Sequence, residues 1–143
     1  MPDDMQNRGN QLSRPRILAV DDNSAILDHV SDMLQSDYEI IGKITDANCV
    51  CTEVEKLKPD LLLLDISMGE RSGIEIAQRL REQGYAGEIV FLTVHQDQAF
   101  VSAAIGAGGR GYVVKSRMNA DLRLAVKAVL SHQLFVSRSL QDE

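Results

Sequence analysis

Long apolar runs are missing from this chain of 143 residues: its uninterrupted stretches, such as Leu61 to Leu64 and Ile89 to Leu92, stop at four residues. A membrane-spanning helix needs about 20, and no positively charged head followed by an apolar signal region opens the sequence. We therefore expect a cytoplasmic protein with no membrane partner. Cysteine is scarce too, with only Cys49 and Cys51 present. Two apart, they point to different sides of a helix and bridge poorly on a strand, so both are expected as reduced thiols. There are only three prolines, and the net charge of -6 argues against a basic face that neutralises phosphates. Any contact with DNA then falls to another domain. What is abundant is apolar residue content, 44% against 25% charged, which suits one globular core without staples.

The opening stretch MPDDMQNRGNQLSRP, residues 1–15, holds only Met1, Met5 and Leu12 as large apolar groups and is expected to be a disordered tail. From Arg16 onward, apolar runs suited to buried strands (17–20, 39–44, 61–64, 89–92, 112–114) alternate with amphipathic stretches. The first helix is expected after a cap at Asn23 or Ser24, with Ile26, Leu27, Val30, Met33 and Leu34 along one stripe. The others are expected at 47–57, 73–83, 96–105 and 119–132. Pro59 and the glycines at 84, 87, 106, 108, 109 and 111 separate the elements. Five strand-helix repeats predict a buried parallel sheet with helices on both faces. The chain is too short for an eight-stranded barrel, so we expect a doubly wound α/β fold with five strands in the order 2-1-3-4-5. The span 16–132 is the expected domain, and 133–143 is read as a C-terminal tail or the start of a linker.

Four of the apolar runs end in a polar residue: ILAV in Asp21 and Asp22, LLLL in Asp65, IVFL in Thr93, and YVV in Lys115. The C-terminal ends of parallel strands share one edge, where open α/β sheets bind ligands. A single acid after a strand is commonly only a helix cap; four chemically matched strand ends are not. Crowded carboxylates resist ionisation unless cations compensate, and oxygen-only ligands favour a hard ion such as Mg2+ over zinc. Phosphoryl chemistry follows as an expectation: an aspartate acceptor, Mg2+ and Lys115 as electrostatic stabilisers, and Thr93 as a hydrogen-bond donor. The segment GAGGRG at 106–111 formally fits a dinucleotide fingerprint, but that motif follows a strand and opens a helix. Here the order is reversed, and we read a helix stop.

These residues resemble the receiver domain of two-component response regulators over about residues 15–132. The motifs are VDDN at 20–23, KPDLLLLDISM at 58–68 with Gly73 eight residues beyond Asp65, FLTV at 91–94, and GYVVKS at 111–116. The resemblance implies a flavodoxin-like receiver fold and a signalling switch rather than an enzyme. Asp65 would take a phosphoryl group from a histidine kinase or phosphotransfer protein. Asp22, Asp65 and the Ser67 carbonyl would bind Mg2+, with Asp21 acting through a water. Thr93 and Lys115 would hold phosphoryl oxygens, while Thr93 and Tyr112 would form the switch. The motif GYVVKS echoes the NarL (LuxR-like) group, whose output is a DNA-binding helix-turn-helix. By that resemblance, DNA is reached only through an output domain outside this chain, and phosphorylation can drive homodimerisation. The alternatives are a single-domain phosphorelay protein and a phosphorylation-independent interaction module. A Mg2+-dependent phosphatase is a further rival, although Ser67 stands where such enzymes carry a second acid.

Two residues depart from the family pattern. Gly69 replaces the usual proline four residues after the acceptor and is expected to loosen that loop. Val94 adds bulk after Thr93, where alanine or glycine is common. Ser67 and His95 occupy positions that, by the resemblance, overlook the phosphoryl group and help set the rate at which water removes it, although His95 is equally readable as an exposed loop residue. On the last predicted helix Leu124 and Ala128 fall off the apolar stripe, as an exposed leucine would or as a contact patch would.

Overall fold

The computed structural model describes residues 14–137. Strands β1 (Arg16–Val20), β2 (Glu39–Ile44), β3 (Leu61–Leu64), β4 (Glu88–Thr93) and β5 (Gly111–Val114) form a parallel sheet in the order β2-β1-β3-β4-β5, as expected. β3 and β5 are wholly buried, which is why their sequences read as unbroken apolar runs rather than alternating ones. Five helices connect the strands: α1 (Ser24–Leu34), α2 (Val50–Leu57), α3 (Gly73–Glu82), α4 (Gln98–Gly106) and α5 (Met118–Leu130).

Alternate strand residues feed two cores. Ile17, Ala19, Leu61 and Leu63 pack with Leu27 and Val30 of α1 and with Leu122, Val126 and Val129 of α5. Leu18, Val20, Leu62 and Leu64 face the other way, against Val54 of α2, Ile76 and Leu80 of α3, and Val101 of α4. Local chemistry sets the helix starts. Asn23 Oδ1 accepts the Ala25 N–H at 3.0 Å, and Ser72 Oγ accepts that of Ile74 at 3.2 Å. The stretch expected as helix from residue 47 begins instead as a 3-10 turn, Ala47–Cys49, because Asp46 Oδ1 takes the Asn48 N–H and tightens the entry. The thiols of Cys49 and Cys51 are free. No helix among the described residues is long and apolar enough to cross a membrane.

The sheet carries one more strand than the expected five. Residues Phe135–Val136, inside the stretch read as tail or linker, pair with β5 as a parallel sixth strand, β6. The turn that enables it ends α5: His132 adopts φ +65, its N–H reaches Val129 O, and the Gln133 N–H reaches Ala128 O. This is a Schellman closure with histidine where glycine is usual. Glu88 holds the turn, accepting from Arg110 Nε at 3.1 Å and lying 3.0 Å from His132 Nδ1. Beyond β6, Ser137 is fully buried; its N–H donates to Tyr112 O and its Oγ accepts the Val114 N–H at 3.0 Å. At the other end Arg14 donates to Tyr38 O, and Pro15 O accepts the Glu39 N–H. The rest of the two expected tails, 1–13 and 138–143, lies outside the described residues.

Candidate functional site

Because β1, β3, β4 and β5 run parallel, the residues that end them meet at one edge. The ladder extends one step past the strands, with the Asp21 N–H on Ile44 O and the Asp65 N–H on Val20 O, so both aspartates start from fixed backbone. Asp21, Asp65 and Thr93 are buried, whereas Asp22 is exposed. One carboxylate oxygen from each of Asp21, Asp22 and Asp65 lies within 4.8 Å of the others. Lys115 enters from the first residue after β5, placing Nζ 2.7 Å from Asp21 Oδ2 and 3.3 Å from Asp65 Oδ2.

Three carboxylates against one ammonium leave this edge short of positive charge. Burial, and then the neighbouring Asp21 charge, push the Asp65 carboxyl above the ordinary carboxylate range; Lys115 and the Ser67 N–H offset part of that. For Lys115, burial alone would lower the ammonium, but the two aspartates outweigh it and hold its pKa above the usual lysine value. Asp21 Oδ1 accepts the Asn23 N–H at 2.9 Å. Its Oδ2 is buried and makes no hydrogen bond of regular geometry, Lys115 Nζ standing 2.7 Å away as an ion pair. A buried carboxylate oxygen in that condition, inside an all-oxygen cluster, fits a hard divalent cation such as Mg2+.

The loop after Asp65 is ordered by two glycines. An ideal Cβ on Gly73 would fall 2.0 Å from the Asp65 carbonyl oxygen, so only glycine lets α3 start this close to the loop after β3. Gly69 does not loosen the loop as expected. It has φ +63 and closes an antiparallel hairpin in which Ser67 pairs with Ser72 and Met68 with Arg71. A left-handed glycine nucleates such a turn, where proline, fixed near φ −65°, cannot stand.

Ser67 and His95 meet across the rim, with Ser67 Oγ 2.6 Å from His95 Nε2. The His95 ring stacks on Phe100 of α4 at 4.2 Å between centroids, and the His95 backbone N–H donates to Thr93 Oγ1. Tyr112 is fully buried; its hydroxyl donates to His95 O at 2.9 Å, and burial raises its pKa. His95 is thus a partly buried junction between the Ser67 loop, Thr93, Tyr112 and α4, not a bare loop residue. No periodicity signals the Phe100 stack, and sequence reading missed it. Val94 is 61% exposed at the rim and Leu124 58% exposed on α5. GAGGRG forms the expected helix stop, with α4 ending at Gly106 and β5 starting at Gly111.

Residues 17–127 match the family model described as the response regulator receiver domain. The chain belongs to that family. Among curated proteins, this receiver is 27% identical over 129 residues to the transcriptional regulatory protein DesR of Bacillus subtilis, covering 89% of this chain and 64% of that protein. It is 29% identical to the nitrate/nitrite response regulator protein NarL of Escherichia coli, covering 87% of this chain and 58% of that one. The receiver therefore spans about three-fifths of the length of these relatives. Among solved structures, a LuxR-family two-component response regulator from Aurantimonas sp. SI85-9A1 superposes with a TM-score of 0.86 at 28% identity, covering 92% of this chain and 95% of that one. The isolated receiver of RcsB from Salmonella enterica serovar Typhimurium shares the fold, with a TM-score of 0.83 at 22% identity and coverage of 91% and 98%.

Proposed function

We propose that this receiver takes a phosphoryl group onto Asp65 from a histidine kinase or phosphotransfer protein and changes conformation as a result. The carrying observation is the convergence of buried Asp65 and Asp21 on one ammonium, Lys115, at a strand edge where a third carboxylate, Asp22, stands within 4.8 Å. Asp22, Asp65 and the Ser67 carbonyl would hold Mg2+, with Asp21 contributing through a bound water. When bound, Mg2+ supplies the positive charge that neutralises the transferring phosphoryl oxygens.

The chain's own residues do the rest. An Asp65 carboxylate oxygen attacks phosphorus in line, the bond to the donor histidine nitrogen breaks, and its electron pair stays with the imidazole. Lys115 pairs with the phosphoryl oxygens, and the Thr93 hydroxyl donates to them. Water later attacks the phosphorus of the acyl phosphate, the Asp65 O–P bond breaks, inorganic phosphate leaves and Asp65 returns as a carboxylate, with Ser67 and His95 setting water's access from the rim. The transfer and the hydrolysis are self-catalysed, which makes the protein a switch rather than a turnover enzyme.

Thr93 and Tyr112 both contact His95, so movement of Thr93 toward the phosphoryl group reaches Tyr112 and α4 through that one residue. The relative EvgA, 25% identical, is described as a DNA-binding transcriptional activator. By analogy, the output here is transcriptional, through a domain beyond this segment, with homodimerisation on phosphorylation and a cytoplasmic setting. The receiver body in this reading is the expected span 16–132 together with β6 and Ser137, which close the sheet's edge. Hydrogen exchange with Mg2+ and beryllofluoride, a phosphoryl mimic, tests it. Protection is expected to change across residues 94–116, and an unchanged pattern there refutes the coupling.

A further inference from the structure

We propose that Gly69 is a positioning residue for the cation: the turn it closes sets the acceptor loop in the register that turns the Ser67 carbonyl toward Asp65. This inference rests on the cation-assisted reading above. The hairpin has only two loop residues, Gly69 and Glu70, between the pairs Met68–Arg71 and Ser67–Ser72. Of these, only Gly69 carries a positive φ, which defines the turn class with a left-handed first residue.

In a two-residue hairpin the pair next to the loop exchanges hydrogen bonds, and pairs alternate outward from it. Met68 and Arg71 form that closing pair. Ser67 and Ser72 are then the non-bonded pair, in which the N–H and C=O of Ser67 both point outward from its own strand, and those of Ser72 outward from the opposite edge. The Ser67 N–H identifies the Ser67 side, since it reaches Asp65 Oδ1 at 3.3 Å. The Ser67 carbonyl is therefore directed to the carboxylate side without competing for ladder hydrogen bonds. A one-residue slip would exchange the two kinds of pair and turn this carbonyl inward.

The ends of the hairpin are pinned. Ser72 Oγ caps α3, Arg71 Nη1 donates to Asn48 Oδ1 at 2.8 Å, and Ser67 Oγ meets His95. Packing does not require glycine at 69, because a Cβ there would meet nothing within 4 Å. Backbone conformation alone requires it, and that isolates the test from steric damage.

The test titrates Mg2+ into the protein by calorimetry and follows thermal unfolding of the same samples. Gly69→Val, whose branched side chain resists positive φ, should weaken Mg2+ binding at least about ten-fold, the range seen when a group that orients a metal ligand is lost. Gly69→Asn, which tolerates positive φ, should keep most of the affinity. A turn that served only stability would lower the melting temperature and leave the Mg2+ affinity alone. Wild-type affinity in Gly69→Val therefore overturns the inference and leaves the proposed function standing. A wild-type protein that takes up no Mg2+ overturns both. If Gly69→Val does not unfold cooperatively, Gly69→Ala carries the same test with the same two outcomes.

Discussion

Replacing Lys115 by methionine removes the ammonium that sits between two buried carboxylates while keeping most of the volume of its stem. Nζ lies 2.7 Å from Asp21 and 3.3 Å from Asp65, with side-chain exposures of 16%, 2% and 5% respectively. At an effective dielectric of about 20, each contact corresponds to a gross attraction of about 5–6 kcal/mol, most of which desolvation takes back. Deleting one partner does not recover that desolvation, and breaking a buried pair costs about 3–5 kcal/mol. Because Lys115 keeps some contact with water, the low end applies: a loss of about 3 kcal/mol, or roughly 10 °C in Tm for a domain of this size. The chain has no tryptophan, so urea unfolding is best followed by far-ultraviolet circular dichroism, in EDTA and then in Mg2+. Mg2+ should return part of the loss, and so should adding Asp21→Asn to Lys115→Met. A change under about 0.5 kcal/mol in EDTA, the size of an ordinary surface substitution, would refute the electrostatic account of this edge.

Two further predictions concern protons and the sixth strand. Asp65 holds its proton to higher pH in the folded state than in the unfolded one, so metal-free stability falls as pH rises from the ordinary carboxylate value through the raised one. Asp65→Asn should therefore be the more stable protein at neutral pH in EDTA, with the gap closing below the unfolded value; urea midpoints across that range check it, and a less stable Asn variant contradicts it. Ser137→Ala leaves the buried Val114 N–H without its acceptor and should lose about 1–3 kcal/mol, with faster amide exchange at Val114. Unchanged exchange there would mean that β6 does not secure the edge of β5.

The strands were legible because burial on both faces writes them as blocks such as ILAV and LLLL, bounded by turn residues. The positions of Asp21, Asp22, Asp65, Thr93 and Lys115 were legible for a related reason: a polar residue ending an apolar block in a parallel sheet has one place to go. Strand β6 was not, since two residues show no periodicity, and its turn depends on Glu88 contacting Arg110 and His132 from 22 and 44 residues away. The Gly69 hairpin escaped for a different reason. Glycine permits both disorder and a left-handed turn, and only the pairing of Ser67 with Ser72 distinguishes them. His95 was ambiguous until its contacts with Ser67, Phe100 and Tyr112 gave it a place.

The acceptor role of Asp65 is tested most directly by intact mass. The protein is incubated with acetyl phosphate, with and without Mg2+, beside Asp65→Asn treated identically. A gain of one phosphoryl group that needs Mg2+ and is absent from the variant is expected. No gain by a protein shown to bind Mg2+, or an equal gain by Asp65→Asn, would contradict that role.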